Sequence, residues 1–213
     1  MRSRSTLIFV DTSSLLDSCW NGDERRGIPI TFDHLKEQAF WDVELRSLSA
    51  RGRLVLTARN HEELVKHSNS SRDPELAERA RYVLAKLAPL FKSGAVEVVG
   101  DQNDPFADAV LLSVALKFRT QANLVFVTQD RALARDLLKV VSFESVHPRG
   151  GQTMEVCRVA RSGRVEAVRN HERPAQRSDD RTRSSIPTTT ESREADRAPA
   201  AKAWWQRARS GER

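Results

Sequence analysis

Short apolar runs alternate with longer stretches of helical spacing along most of the chain. Four runs read as strands: residues 7–10 (LIFV), 53–57 (RLVLT), 95–99 (AVEVV) and 123–128 (NLVFVT). The first is apolar at every position, which predicts burial on both faces. Between the runs, apolar residues recur three and four apart. Leu35, Ala39, Phe40, Val43, Leu45 and Leu48 predict a helix over 33–50. Leu76, Ala80, Val83, Leu84 and Leu87 predict a long one over 74–91, with Pro74 near its first position. Shorter helices are expected after Asp11, capped by Thr12 or Ser13; from Asn60 as N-cap; over 106–118; and from residue 131. Residues 21–31 (NGDERRGIPIT) carry Gly, Pro and charge and predict a loop. Residues 141–148 (VSFESVHP) predict a fifth strand, and 152–168 an alternating hairpin turning at Ser162 and Gly163.

Strand and helix in alternation predict an α/β domain: a mainly parallel central sheet with helices on both faces. In such sheets functional groups gather at the carboxyl ends of the strands. Acidic residues sit there. Asp11 ends the first run, and Glu62 and Glu63 follow the second. Asp101 and Asp104 follow the third, Asp108 opens the next helix, and Asp130 comes just after the fourth run. A parallel sheet brings all of these to one edge. Carboxylates gathered in this way repel one another, and hard divalent cations such as Mg²⁺ or Mn²⁺ compensate them through oxygen ligands. Such an ion generates hydroxide near neutral pH and stabilises charge on a phosphoryl oxygen. The chain shows no Gly-rich phosphate loop and no Ser/His/Asp arrangement, so metal-assisted phosphodiester hydrolysis is the chemistry this pattern supports. A phosphatase built on a strand-end Asp usually needs a second acid two residues on, and position 13 is Ser. Removing one like charge from the cluster, as in Asp11→Asn, is expected to hold or raise the stability of the metal-free protein.

Composition divides the chain. Nearly all Leu, Val, Ile and Phe lie before residue 170; residues 170–213 are Arg, Ser, Thr, Ala, Pro and acids, ending with Trp204 and Trp205 nearby. The expected organisation is one globular domain over 1–150, a strand or hairpin extension over 151–169, and a disordered tail over 170–213 that cannot offset its ordering entropy. The net charge of +6 and a pI near 9.8 favour polyanion partners. Two cysteines, Cys19 and Cys157, are too few for a disulfide framework or a Cys-rich zinc site and fit a reducing, cytoplasmic setting. No segment has the length of a membrane span or a signal peptide.

Four motifs in order resemble those of the PIN-domain family of metal-dependent nucleases. FVDTSSLL resembles the family's opening strand and Asp-Thr-Asn/Ser; HEELVKH its Glu-Leu helix start; DPFADAVLLSVAL its Asp-Ala-x-Ile/Leu helix start; and LVFVTQDRAL its strand followed by Thr-x-Asp. The resemblance covers residues 7–147. It implies a Rossmann-like three-layer sandwich and a metal site of Asp11, Glu63, Asp108 and Asp130. It also implies ribonuclease activity of the toxin or RNA-processing type, with RNA as substrate. Ser13 departs from the Asn of many members, and residues 141–213 carry no recognised motif. Some members have lost catalysis, so the alternative is a silent module that binds RNA or a protein partner.

Each acid has a structural rival. Asp11 and Asp130 are also natural helix N-caps, Glu62 competes with Glu63, and Asp101 and Asp104 compete with Asp108. Ser13 and Thr128 are expected to support the site through their hydroxyls. His61 and His67, six apart, are expected to face solvent. Lys66, Arg79, Arg81 and Arg131 are candidates for a phosphate track, with a solvated helix face as the plainer role. Phe40 and Trp41 are expected in the core. Trp204 and Trp205 are a candidate docking element for a partner. A homo-oligomer is compatible with the sequence.

Overall fold

The computed structural model describes residues 5–23, 26–100, 107–143 and 151–168. Along the chain run β1 (Thr6–Val10), α1 (Thr12–Asp17), β2 (Trp20–Asp23), β3 (Ile28–Phe32), α2 (His34–Gln38), a π-helical stretch (Ala39–Glu44) and α3 (Leu45–Arg51). Then come β4 (Arg53–Thr57), α4 (Ala58–Ser68), α5 (Pro74–Lys92), β5 (Val96–Val99) and α6 (Ala107–Phe118). The last are β6 (Asn123–Val127), α7 (Arg131–Ser142), β7 (Met154–Val159) and β8 (Val165–Ala167).

The architecture is α/β, with a six-stranded, mostly parallel sheet in the order β5-β4-β1-β6-β7-β8. β1 pairs in parallel with both β4 and β6; β5 and β7 extend the two sides in parallel, and β8 returns antiparallel on β7. The alternation of side chains along β1 divides the core in two. Ile8 and Val10 join one apolar cluster with Leu15, Phe40, Leu48, Leu64 and Val83 from α1 through α5. Phe9 joins the other with Leu111, Leu133 and Leu137 from α6 and α7, and its ring stacks on Phe126 at 5.2 Å. After β1 the chain builds β4 and β5 on one side, then crosses to lay β6 on the other. That reversal makes a switch point beside β1, where a crevice opens at the carboxyl ends of the strands.

Three elements differ from expectation. Residues 21–31 are not simply a loop: β2 and β3 pair in antiparallel fashion, with Trp20 opposite Phe32. The rings of Trp20, Phe32 and Tyr82 of α5 meet edge-on at 5.2–5.4 Å. This aromatic packing outweighs the Gly and Pro signal. The strand expected over 141–148 is absent from its described part: α7 runs to Ser142, because Val140 continues the buried stripe of Leu133 and Leu137. Residues 144–148 lie outside the described residues. The neighbour of β6 is instead β7, the first half of the expected hairpin, which enters the main sheet. Finally, α4 is capped by Thr57, not Asn60, so Asn60 sits inside the first turn.

The π-helical stretch buries Phe40 and Trp41 side by side, and the Trp41 indole donates to Ser18 Oγ and Cys19 Sγ, each at 3.1 Å. Both aromatic residues are core, as expected. Cys19 and Cys157 are free and buried. No helix among the described residues is long and apolar enough to cross a membrane. Asp101, Asp104, His147 and the 170–213 tail with Trp204 and Trp205 lie outside the described residues.

The turn between β7 and β8 leans on α2 through Gly163, whose φ is +81°; an added Cβ would collide with the Lys36 carbonyl oxygen and the Ala39 side chain. Gly163→Ala is expected to destabilise the fold by at least about 1–2 kcal/mol, from left-handed strain alone. Thermal melts of the variant and wild type check this.

Candidate active site

Asp11 is the first residue past β1, and its amide still donates to Val127 O at 2.9 Å, carrying the β1–β6 ladder one step further. The residue is 6% exposed. A carboxylate at that depth needs hydrogen bonds. Oδ1 accepts from Thr12 N and from Asn60 Nδ2, both at 2.8 Å. Oδ2 accepts from Ser13 Oγ at 2.6 Å and Thr128 Oγ1 at 3.0 Å. Four donors fill the four lone-pair positions of the group. Asp11 therefore is the N-cap of α1 and, in the same position, the hub of the strand ends.

Each donor is itself held. Asn60 is wholly buried; its amide donates to Thr57 Oγ1 at 3.1 Å, and the Thr57 hydroxyl bonds Asn60 Oδ1. Ser13 Oγ accepts from Gln129 N at 3.1 Å, which ties α1 to the segment after β6. Thr128 Oγ1 also accepts from Asp130 N at 3.0 Å.

The other acids gather around this hub. Glu63 lies one turn into α4, where Oε2 accepts from Thr12 Oγ1 at 3.0 Å. Glu62 turns to Arg59, 2.6 Å away. That divergence separates two acids that the sequence left in competition. Asp130 caps α7, with Oδ1 accepting from Ala132 N at 2.6 Å and Leu133 N at 3.0 Å. Asp108 lies in the first turn of α6. Partial desolvation raises the pKa of its carboxyl, and the charges of Asp11, Asp130 and Glu63 raise it further.

Asp11, Glu63, Asp108 and Asp130 line one pocket of about 300 Å³, together with Thr12, Ser13, Leu16, His67 and Ala107. The acidic donors are all oxygen, which suits a hard divalent cation. Among the described residues, however, no three His, Cys, Asp or Glu side chains stand close enough to enclose an ion by themselves. The set fits an ion that keeps part of its water, as Mg²⁺ commonly does. Two of the donors to Asp11, Thr12 and Ser13, line the pocket themselves.

Two residues escaped the sequence reading. Asn60 was expected as a helix cap and instead clamps Asp11. His67 was expected to face solvent and instead lines the pocket, while His61 packs edge-on against Phe91 at 5.6 Å. The available signal was the spacing of Glu63 and His67, which are four apart on one helix face. Two of the candidate track residues are engaged elsewhere: Arg79 pairs with Asp17 at 2.7 Å, and Arg81 donates to Ser68 O at 3.2 Å. Lys66 and Arg131 are exposed.

Comparison of the chain with protein-family models gave no match, and a search of curated proteins gave none either.

These geometries correct the expectation for Asp11. Asp11→Asn sets an amide NH₂ against donors, so it is expected to cost the metal-free protein about 1–3 kcal/mol in urea or thermal unfolding. Relief of repulsion belongs instead to Asp108. A raised carboxyl pKa means that the folded state holds its proton more tightly than the unfolded chain. The resulting stability is full below the ordinary Asp pKa, about 3.9, and is lost as pH rises through the folded value. Asp108→Asn is expected to melt at or above wild type at pH 7, with the difference fading below about pH 3.9. Melts across that range check the sign.

Proposed function

We propose that this protein is a metal-dependent ribonuclease of the PIN-like type, built as a Rossmann-like three-layer sandwich. The observation that carries the reading is the convergence of Asp11, Glu63, Asp108 and Asp130 on one pocket beside the switch point. Asp11 and Asp130 each also cap a helix, but capping does not account for four carboxylates from four separated segments meeting in one pocket, where burial and then the charges of the other three raise the Asp108 pKa. These four residues would hold Mg²⁺ or Mn²⁺. When bound, the ion supplies an activated water near neutral pH and neutralises charge on a phosphoryl oxygen.

The remaining steps belong to the chain. Asn60 and Thr128 keep the Asp11 carboxylate from turning, and Thr12 does the same for Glu63. Fixed ligands of this kind need little reorganisation when charge develops on the substrate. Leu16 and Ala107 supply the apolar part of the wall. The acids repel an RNA backbone, so binding draws on cations outside the pocket, such as Lys66 and Arg131, and weakens with salt.

A second reading has its own support. The four hydrogen bonds on Asp11 leave it without a vacant lone pair, and among the described residues no three acids enclose an ion as they stand. A catalytically silent module that binds RNA, or a protein partner through the 170–213 tail, is compatible with both facts.

Labelled-RNA cleavage separates the two readings. The wild type is expected to cut RNA with Mg²⁺ or Mn²⁺ and to stop in excess chelator. Glu63→Gln, Asp108→Asn and Asp130→Asn are each expected to lower kcat by orders of magnitude with smaller changes in RNA affinity, because the ligands act as a unit. Glu62→Gln is the control and is expected to retain activity. Cleavage that persists in chelator, or a control as damaging as the others, contradicts the ribonuclease assignment. RNA binding without cleavage under any metal supports the silent module.

A further inference from the structure

The pocket holds one kind of group that the four-carboxylate reading does not use. Resting on that reading, we propose that His67 is a further catalytic residue: its imidazolium protonates the oxygen that leaves phosphorus when an RNA phosphodiester is hydrolysed. Three observations lead there. His67 lines the same pocket as the four acids. It stands four residues beyond Glu63 on α4, so the two share a face and are offset by about 6 Å along the helix axis. Among the described residues that line the pocket, it is the one side chain with a ring N–H to donate.

The chemistry needs such a group. Carboxylates gathered around a cation serve the attacking side of the reaction. The departing sugar oxygen is a poor leaving group and carries negative charge unless a proton arrives. Arg59 is paired with Glu62 and Arg79 with Asp17, so these cations of α4 and α5 are directed elsewhere, and Lys66 is exposed and does not line the pocket. The His67 ring makes no hydrogen bond or ion pair with a described residue, which leaves it available to substrate.

The step balances simply. Water forms the new P–O bond and releases a proton to solvent. The bond from phosphorus to the sugar oxygen breaks, and its electron pair stays on that oxygen. The His67 proton neutralises it, and the neutral imidazole is reprotonated from solvent.

The test compares leaving groups. His67→Ala and His67→Gln are assayed beside wild type on a single-stranded RNA oligonucleotide and on a nucleoside p-nitrophenyl phosphodiester, whose phenolate departs without a proton. On RNA, kcat is expected to fall about 10²–10⁴-fold, the usual contribution of general acid catalysis, with KM nearly unchanged. On the activated ester the loss is expected to be at least about tenfold smaller. Mn²⁺ titration by calorimetry is expected to give the wild-type affinity in both variants, and melting curves confirm that they fold. An equal loss on both substrates overturns the proposal, as does an undiminished rate on RNA. Weakened Mn²⁺ binding overturns it in favour of a metal ligand. Each of these results leaves the nuclease reading intact. A wild type that cleaves neither substrate with either metal overturns that reading, and the proposal with it.

Discussion

A single buried carboxylate organises the carboxyl edge of this sheet. Asp11 is nearly inaccessible to water, and a carboxylate at that depth needs the donors that surround it. The four donors come from three places in the chain: the start of α1, the first turn of α4 and the residue after β6. Satisfying one side chain thus draws together segments 49 and 117 residues away in sequence. The other acids follow from this. Once Asn60 is anchored, Glu63 falls one turn later and meets Thr12. Once Thr128 is anchored, its hydroxyl receives the Asp130 amide and sets the start of α7.

The sheet makes that convergence possible. β1 is flanked by two parallel partners, and its alternate residues serve two separate apolar clusters. Five parallel strands point their carboxyl ends the same way, so the segments that leave them open on a common edge. The crossing from β5 to β6 passes over β1 and leaves a gap at the strand that carries the most buried acid. An aspartate at the same step in an antiparallel sheet would have its neighbours on the opposite edge.

Asp11 and Asp108 line the same pocket but are held differently. Asp11 is deep but fully hydrogen-bonded, so the protein holds it through structure and its replacement disturbs structure. Asp108 is nearer the rim, where partial burial and then the charges of its neighbours raise its pKa. The distinction depends on the count of donors, not on depth alone. The four donors are the reason that charge relief, expected at Asp11 from the sequence, is expected at Asp108 instead.

The order of strands and helices was legible because apolar period and burial agree: LIFV, NLVFV and the stripe of Leu76, Ala80, Val83 and Leu87 each declare their element. The acids at strand ends were legible for the same reason, since a parallel sheet leaves them one edge. Where local signals met aromatic packing they failed, as at β2 and β3, whose Trp20 and Phe32 pack on Tyr82 from far along the chain. The choice of Glu63 over Glu62 was decided by helix rotation, which turned one acid toward Thr12 and the other toward Arg59. Asn60 as a clamp and His67 as a pocket wall were decided by the cap at Thr57, which sets where α4 begins. Sequence determined which chemistry was present along the chain. Tertiary structure alone decided which groups meet, because contact depends on the angle at which each helix leaves its strand.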